Sequence, residues 1–534
     1  MGGYLMSEEP KVRKISGFKE WQELAKKTTR KWIVYGTEDR PESNVMAVLL
    51  GLQQYLIMFG ATVSIPLLIG FLIADVYQIP PDTARILIAD LIAITFFVSG
   101  VTTLLQTWPK TGSGLPIIQG GSFSFLGPVI AIITSASLLA QLEGYSSVEA
   151  FIAGTTPEQR FAIVVTYING AILAAAPFEI ILGYTGIAGK LKRWITPVSI
   201  GPTVALIGLA LFDVGAPMAA PCFWEGFLVL ILIILLNQII GRKYLKIQMF
   251  SILMSIVIAW LIAAGLTVTG TITGTACAIN TWPIETMVRT GRYLRPPIPF
   301  PFGLPKIVPA FALGMVAAYL ASMVESIGDY HSVCRMSEAP PPTEWMISKG
   351  LGAEGLGCAI GAIFGNITGS TSYSENIGAI GLTRVASRYV FQLGGAIIMV
   401  LGGIVYAWGA FMATMPSPLV GGMYIAVFGL IAAVGLSLLM LCDMKSARNL
   451  FIVGLAFFSG LTFPAYFKGY NPFGVSGQGA VVAVMPPGWE WLGQIVEIIG
   501  STGMAVGAIV GILLDNILPA TPEERGITHP EWAS

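Results

Sequence analysis

Apolar stretches recur along the whole chain, separated by short polar or proline-containing turns. Examples are MAVLLGLQQYLIMFGATVSIPLLIG (46–70), FLVLILIILLNQII (227–240) and FQLGGAIIMVLGGIVYAWGAFMA (391–413). Many approach the roughly 20 residues that a helix needs to cross a bilayer. The pattern predicts about fourteen spans, near 46–70, 84–107, 115–136, 161–184, 196–215, 224–240, 248–269, 308–334, 350–366, 367–386, 389–412, 418–440, 446–463 and 490–516. The fold class is therefore all-α, polytopic and membrane-embedded. The spans follow one another too closely to leave room for a large soluble domain.

Two stretches break this pattern: GSGLPIIQGGSFSFLGPVIAI (112–132) and GNITGSTSYSENIGAIG (365–381). From Thr368 to Asn376 the second has no aliphatic side chain, and it carries the carboxylate of Glu375. Each stretch opens with residues that suit extended chain, passes through a Ser/Gly-rich knot and continues as a short apolar helix pattern. The helical parts are expected to start near Ser124 and near Ser374. Each stretch is third in its own set of seven spans. An odd number of spans per half inverts one half relative to the other in the membrane. Non-helical backbone at membrane depth survives only where protein or a cavity satisfies its polar groups. Paired interruptions at matching positions of two halves mark the central site of a transporter. Half-helix N-termini there offer N–H donors and positive dipole ends to a ligand.

Composition agrees with the span pattern. The chain has 534 residues, 54% hydrophobic and 11% charged, against about 25% charged in soluble domains. Its formal net charge is zero, which suggests no nucleic-acid partner. The first 43 residues are polar and read as a cytoplasmic arm rather than a cleavable leader. Lys and Arg cluster in that arm and in GKLKRW (189–194), GRKYLK (241–246) and DMKSAR (443–448), with Arg335, Lys349, Arg384 and Arg388 on the same side. Both termini are accordingly expected to be cytoplasmic. The loop 270–306 departs from this rule through Arg289, Arg292 and Arg295, as long loops can. No HExxH or GxSxG motif is present, and the only histidines are His331 and His529. An enzyme is not expected. The five cysteines show no CxxC spacing, so a zinc site is not expected. Cys222 and Cys277 fall in loops placed outside, where a disulfide and free thiols are both open.

Charge inside a span is costly and usually marks function. The candidates are Asp90, Glu179, Glu325, Asp329 and Glu375. Glu325 and Asp329, in VESIGDYH, are four residues apart and share one helix face. Two carboxylates on one face of a dry site cannot both ionise easily, which suits a proton carrier. Asp90 and Glu179 stand singly and read as structural or interfacial. His331 reads as a solvated or capping histidine near the end of the same helix.

On these residues the chain resembles the nucleobase–ascorbate transporter family, also called nucleobase/cation symporter-2, from about residue 46 to 465. The family signature appears as Glu375-Asn376-Ile377-Gly378 and, after four residues, Thr383-Arg384. VESIGDY, GGMYIAVFGLIAAVG and DMKSARNLF are similar as well. The resemblance implies two inverted seven-span repeats, with short strands in the third and tenth spans. It implies a core from 46–184 and 307–412 and a gate from 196–270 and 418–516. An outer loop would cover 271–306, with 1–45 and 517–534 as cytoplasmic tails. It further implies that Glu325 and Glu375 hydrogen-bond a base, that Phe123 and Ser374 complete the site through their main chains, and that Phe123 and Phe428 pack on the ring. Asp329 is linked to cation coupling, and the gate commonly forms a homodimer. Where many members carry Gln-His, this chain has Gln53-Gln54. Gln54 can donate a hydrogen bond but cannot titrate.

The function expected is cation-coupled symport of a nucleobase such as uracil or xanthine, with H⁺ or Na⁺ as the coupling ion and no cofactor. It would proceed by elevator-like alternating access in a plasma or inner membrane. Glu375 at the first signature position favours a base. The flanks GDYHSVCRMSEAPPPTEW and DMKSARNLF look like the sodium-coupled ascorbate branch. The alternative is therefore an ascorbate-type or other organic-anion transporter on the same fold.

Overall fold

The computed structural model describes residues 17–528 apart from 29, 31–32, 192–193, 210–211, 245–246, 248–250, 274–275, 280, 292, 413, 468–476, 478–479 and 487–488. His529 and Arg292 lie outside the described residues.

The chain runs through α1 (Phe18–Lys27), α2 (Asn44–Val76), α3 (Pro81–Thr107), β1 (Gln119–Gly120), α4 (Leu126–Thr134), α5 (Pro157–Tyr184) and α6 (Pro197–Leu209). It continues through α7 (Phe223–Ile234), α8 (Ser251–Val268), α9 (Trp282–Thr290), α10 (Pro309–Met336) and α11 (Glu344–Ile363). After these come β2 (Thr371–Ser372), α12 (Ser374–Thr383), α13 (Arg388–Ile397), α14 (Ser417–Leu438) and α15 (Ala447–Phe467). The helix starts are encoded locally. Ser43 Oγ accepts from Met46 N to begin α2, Pro81 opens α3, and Thr156 with Gln159 forms a capping box on α5.

A described helix, or a helix pair, occupies each of the fourteen expected spans. Among the described residues, six helices are long and apolar enough to cross a membrane: Asn44–Val76, Pro81–Thr107, Pro157–Tyr184, Gly215–Ile240, Pro309–Met336 and Ala447–Phe467. Others are shorter or interrupted, as at the π turn Ile398–Ile404. This is a multi-pass membrane protein. Its helices form two packed groups, each drawn from both halves of the chain. In one, α2, α3 and α5 pack with α10, α11 and α13; in the other, α6, α7 and α8 pack with α14, and α6 also packs with α15.

The two unusual stretches meet inside the first group. β1 and β2 pair antiparallel, with Gln119 opposite Ser372 and Gly120 opposite Thr371. Equivalent segments of the two halves therefore run in opposite directions, as an inverted repeat requires. Tyr373 N donates to Ile118 O (3.0 Å) and Ser122 N to Thr368 O (2.9 Å), extending the pairing. Gly120 is small because the Tyr373 ring lies over it: a Cβ there would sit 2.3 Å from Tyr373 Cζ. Gly369 needs its positive φ of 62° and sits against the Phe125 ring. Asn366 satisfies the turn: Nδ2 donates to Gly369 O, and Oδ1 accepts from Thr95 and Thr368 hydroxyls. The polar side chains of Asn366, Thr368, Ser372, Ser374 and Asn376 are thus bonded to the segment's own backbone and to its partners. The second half helix starts at Ser374 as expected. The first passes through a 3₁₀ turn, Phe123–Phe125, before α4 begins.

Two loop expectations resolve here. Cys222 and Cys277 form a disulfide, so the free-thiol alternative falls. It closes a loop of 55 residues, which chain-entropy reasoning values at about 4 kcal/mol. Cys222→Ser is expected to lower the midpoint of thermal unfolding in detergent; identical melting of variant and parent would refute this. Asp90 is not single: Arg295 of the long loop pairs with it at 3.0 Å. That pairing explains a cation in a loop where the charge rule expects few. The N-terminal arm differs from a free polar tail, since Trp21 and Ala25 of α1 are buried.

Candidate transport site

Helix α10 carries both expected carboxylates, and each engages a different crossing segment. Glu325 Oε2 accepts from Ser124 Oγ at 3.2 Å. Asp329 Oδ2 accepts from Ser372 Oγ at 2.6 Å, and Oδ1 from Ser374 Oγ at 2.8 Å. Ser372 Oγ also lies 3.2 Å from Ser326 Oγ. One helical turn of α10 thus holds the start of the first half helix with Glu325 and the start of α12 with Asp329. Asp329 is buried, whereas Glu325 keeps partial exposure. The Glu325 carboxylate is the more open acceptor of the two.

Two rings stand nearby in sequence register with this site. Phe123 precedes Ser124, and its ring meets that of Phe428 on α14 edge-on, with centroids 5.5 Å apart. Phe428 stacks in turn on Tyr424 at 4.9 Å. An aromatic edge-to-face pair therefore joins the two helix groups at the position where the resemblance expects a ring contact.

The signature residues are spread over one short element. Asn376 Nδ2 donates to both Gln54 O and Gln54 Oε1, each at 2.9 Å. Gln54 is buried and acts as an acceptor that fixes α12, a role different from the donor expected for it. Gly378 is exposed, and a Cβ there would meet nothing within 4 Å. Thr383 Oγ1 accepts from Val385 N. Arg384 ends α12 in the left-handed conformation. Glu375 lies in the first turn of α12; its side chain is outside the described residues.

Sequence reasoning missed Glu354, although it falls in the expected span 350–366. It is buried on α11 and accepts three hydrogen bonds: from Gln119 Nε2 (2.9 Å), Ser326 Oγ (2.6 Å) and Tyr330 OH (2.9 Å). Gln106 Nε2 donates to the Tyr330 oxygen at 2.8 Å. Glu354 therefore anchors β1 to α10 and α11 directly behind the carboxylates of the site. Glu179, on α5, is fully buried where α5 meets α11: its Cβ lies 3.1 Å from a Cβ built on Gly355. Neither of its oxygens has a hydrogen-bond partner among the described residues. A lone glutamate in GLGAEGLGC was the available signal for Glu354.

Two opposed broken segments are thus held by carboxylates of one spanning helix, and the comparisons place that arrangement in a permease. The family model Xan_ur_permease, described as a permease family, matches residues 46–469. The chain belongs to this family, that of the nucleobase–ascorbate transporters. It is 35% identical over 522 residues to solute carrier family 23 member 2 of Mus musculus, covering 93% of this chain and 76% of that one. It is 31% identical over 500 residues to nucleobase-ascorbate transporter 2 of Arabidopsis thaliana, covering 91% and 88%. Among solved structures, the murine Slc26a9 anion transporter in its inward-facing state aligns with a TM-score of 0.48 at 12% identity, covering 85% of this chain and 70% of that one.

Proposed function

We propose that this protein is a cation-coupled symporter of a nucleobase, working by movement of one helix group past the other. The observation that carries this is the pair of α10 carboxylates bonded to the starts of the two broken segments. A nucleobase is flat, uncharged and edged with N–H donors and C=O acceptors. Glu325 and Glu375 accept from ring N–H groups, and main-chain groups at Phe123 and Ser374 complete the edge. Phe123 and Phe428 bracket the ring, so the pocket closes only when the two groups approach. Core (46–184, 307–412) and gate (196–270, 418–516) are then the moving and the fixed part. The protein lies in a plasma or inner membrane as a gate-to-gate homodimer, with both termini cytoplasmic.

Protonation of Glu325, with Asp329 behind it, couples H⁺ to loading, because a neutral site crosses a dry barrier more readily than a charged one. A second ion is favoured by one observation. Asp329 is surrounded by the hydroxyls of Ser372 and Ser374, an all-oxygen set that suits a hard cation such as Na⁺. The name of the plant relative also includes ascorbate. The partly exposed carboxylate of Glu325 disfavours such an anion.

Uptake by reconstituted proteoliposomes tests the reading. Labelled uracil, xanthine and ascorbate are offered under an inward proton gradient and then an inward sodium gradient. The expected result is accumulation of a base, abolished by collapsing one gradient. Accumulation of ascorbate alone would overturn it.

A further inference from the structure

The N-terminal arm is built into the protein at the ends of both broken segments. Trp21 is fully buried, and its Nε1 donates to Pro340 O at 2.9 Å. Ile33 N donates to Glu338 Oε2 at 3.3 Å. Beyond this, residues 34–39 run beside 384–388. Tyr35 forms a parallel bridge with Val385. Val34 N donates to Arg384 O (2.9 Å), Ala386 N to Tyr35 O (2.7 Å) and Arg388 N to Thr37 O (3.1 Å). Ser387 Oγ donates to Asp39 O at 2.5 Å. Arg384 is the residue that ends α12, so the arm pairs with the chain where the second half helix stops.

Arg388 extends the same contact to the first broken segment. Its Nη2 donates to Glu38 Oε2 at 2.5 Å, and its Nη1 to Gly114 O at 3.0 Å. Gly114 lies five residues before β1, across a bend at Leu115 and Pro116. The pair is well shielded, with side-chain exposures of 15% for Arg388 and 6% for Glu38. Gln22 Nε2 adds a second donor to the same Glu38 oxygen at 2.5 Å. One guanidinium fork therefore holds the arm, the entry to the first broken segment and, through its own backbone, the exit of the second.

We infer that Glu38 and Arg388 are positioning residues for the transport site: they fix both strand–half-helix units from outside it, so ligand affinity depends on an arm that touches no ligand. The uptake part of the test rests on the transport reading above; the exchange part does not. Purified parent, E38Q, R388Q and R388K are compared by backbone hydrogen exchange without ligand. R388Q is expected to speed exchange at 115–124 and at 371–383 together. Lysine offers a single point donor in place of the fork. R388K is therefore expected to keep the arm docked on Glu38 and loosen only 115–124. In proteoliposomes R388Q should raise KM about tenfold while kcat changes less than about twofold, as expected for a displaced site with intact chemistry. Exchange that rises only at 33–39 and 384–388 would overturn the inference, as would an unchanged KM in a transporting protein. Should R388Q fail to fold, E38Q carries the exchange test: it leaves the Gly114 contact in place and breaks only the charge pair, so 115–124 is expected to hold while 371–383 loosens with the arm. Loosening confined to the arm in E38Q would likewise overturn it.

Discussion

Glu325→Gln is expected to raise the KM for a nucleobase about thirtyfold or more while leaving the protein folded. Glutamine can turn its one oxygen to the place of Glu325 Oε2, so Ser124 retains its partner and the first half helix stays in place. What is lost is the second carboxyl oxygen, which accepts from the ring when ionised and carries the proton when neutral; an amide NH₂ faces the ligand in its place. Leaving a buried partner unsatisfied costs about 1–3 kcal/mol, and about 1.4 kcal/mol is a tenfold change in affinity. The effect should be as large in equilibrium binding to detergent-purified protein as in uptake, because Glu325 is proposed to contact the base directly. Calorimetric titration with uracil and xanthine, beside a thermal melt of the same samples, separates lost binding from lost folding. Parent-like affinity in a normally melting variant would remove Glu325 from the site. A further outcome concerns coupling. A permanently neutral residue at this position should make the remaining uptake insensitive to the proton gradient if Glu325 carries the proton. Retained proton dependence would shift that role to Asp329 or to a Na⁺ held by its hydroxyl neighbours.

The spans were legible in the sequence because membrane crossing demands a long apolar run, and each such run became a helix or a broken helix. The two interrupted segments were legible for the opposite reason. A polar knot such as GSTSYSEN cannot face lipid, so it has to be internal, and the antiparallel pairing of β1 with β2 places it there. Ser374 was placed correctly as a helix start, since a Ser before an apolar pattern is a local signal. Partnerships across long separations were not legible. Asn376 bonds Gln54 from 322 residues away, and Trp21 meets Pro340 from 319 away. Asp90 was read as single because its partner, Arg295, lies in a loop that sequence rules treat as charge-tolerant. The docking of the polar arm was not legible either; it depends on Phe18 and Trp21, two rings among many charges. Glu354 was passed over because it has no periodic or paired neighbour in its own span. Its three donors come from β1 and α10, and only the folded chain brings them together.

That convergence makes Glu354 the residue whose removal should cost the most stability. In Glu354→Ala, the Gln119 amide and the hydroxyls of Ser326 and Tyr330 lose their common acceptor in a buried site. Each unsatisfied buried donor costs about 1–3 kcal/mol, and partial rearrangement, such as Ser326 turning toward Thr371 Oγ1 at 3.2 Å, offsets some of it. A net loss of about 3–5 kcal/mol is expected, comparable to breaking a buried polar network. Glu354→Gln should fall between parent and alanine. It keeps one acceptor oxygen, but its NH₂ group confronts a donor where the second oxygen stood. The expected order of thermal unfolding midpoints in detergent is parent, then glutamine, then alanine, with the alanine variant lower by about 3–4 °C. Because Gln119 sits on β1 opposite Ser372, and Ser372 bonds Asp329, the damage should reach the site itself. Hydrogen exchange in the alanine variant is therefore expected to rise at 371–374 as well as at 117–120. An alanine variant that melts within about 2 °C of the parent, with unchanged exchange at both strands, would show that the Glu354 network is dispensable and that β1 is held by its pairing with β2 alone.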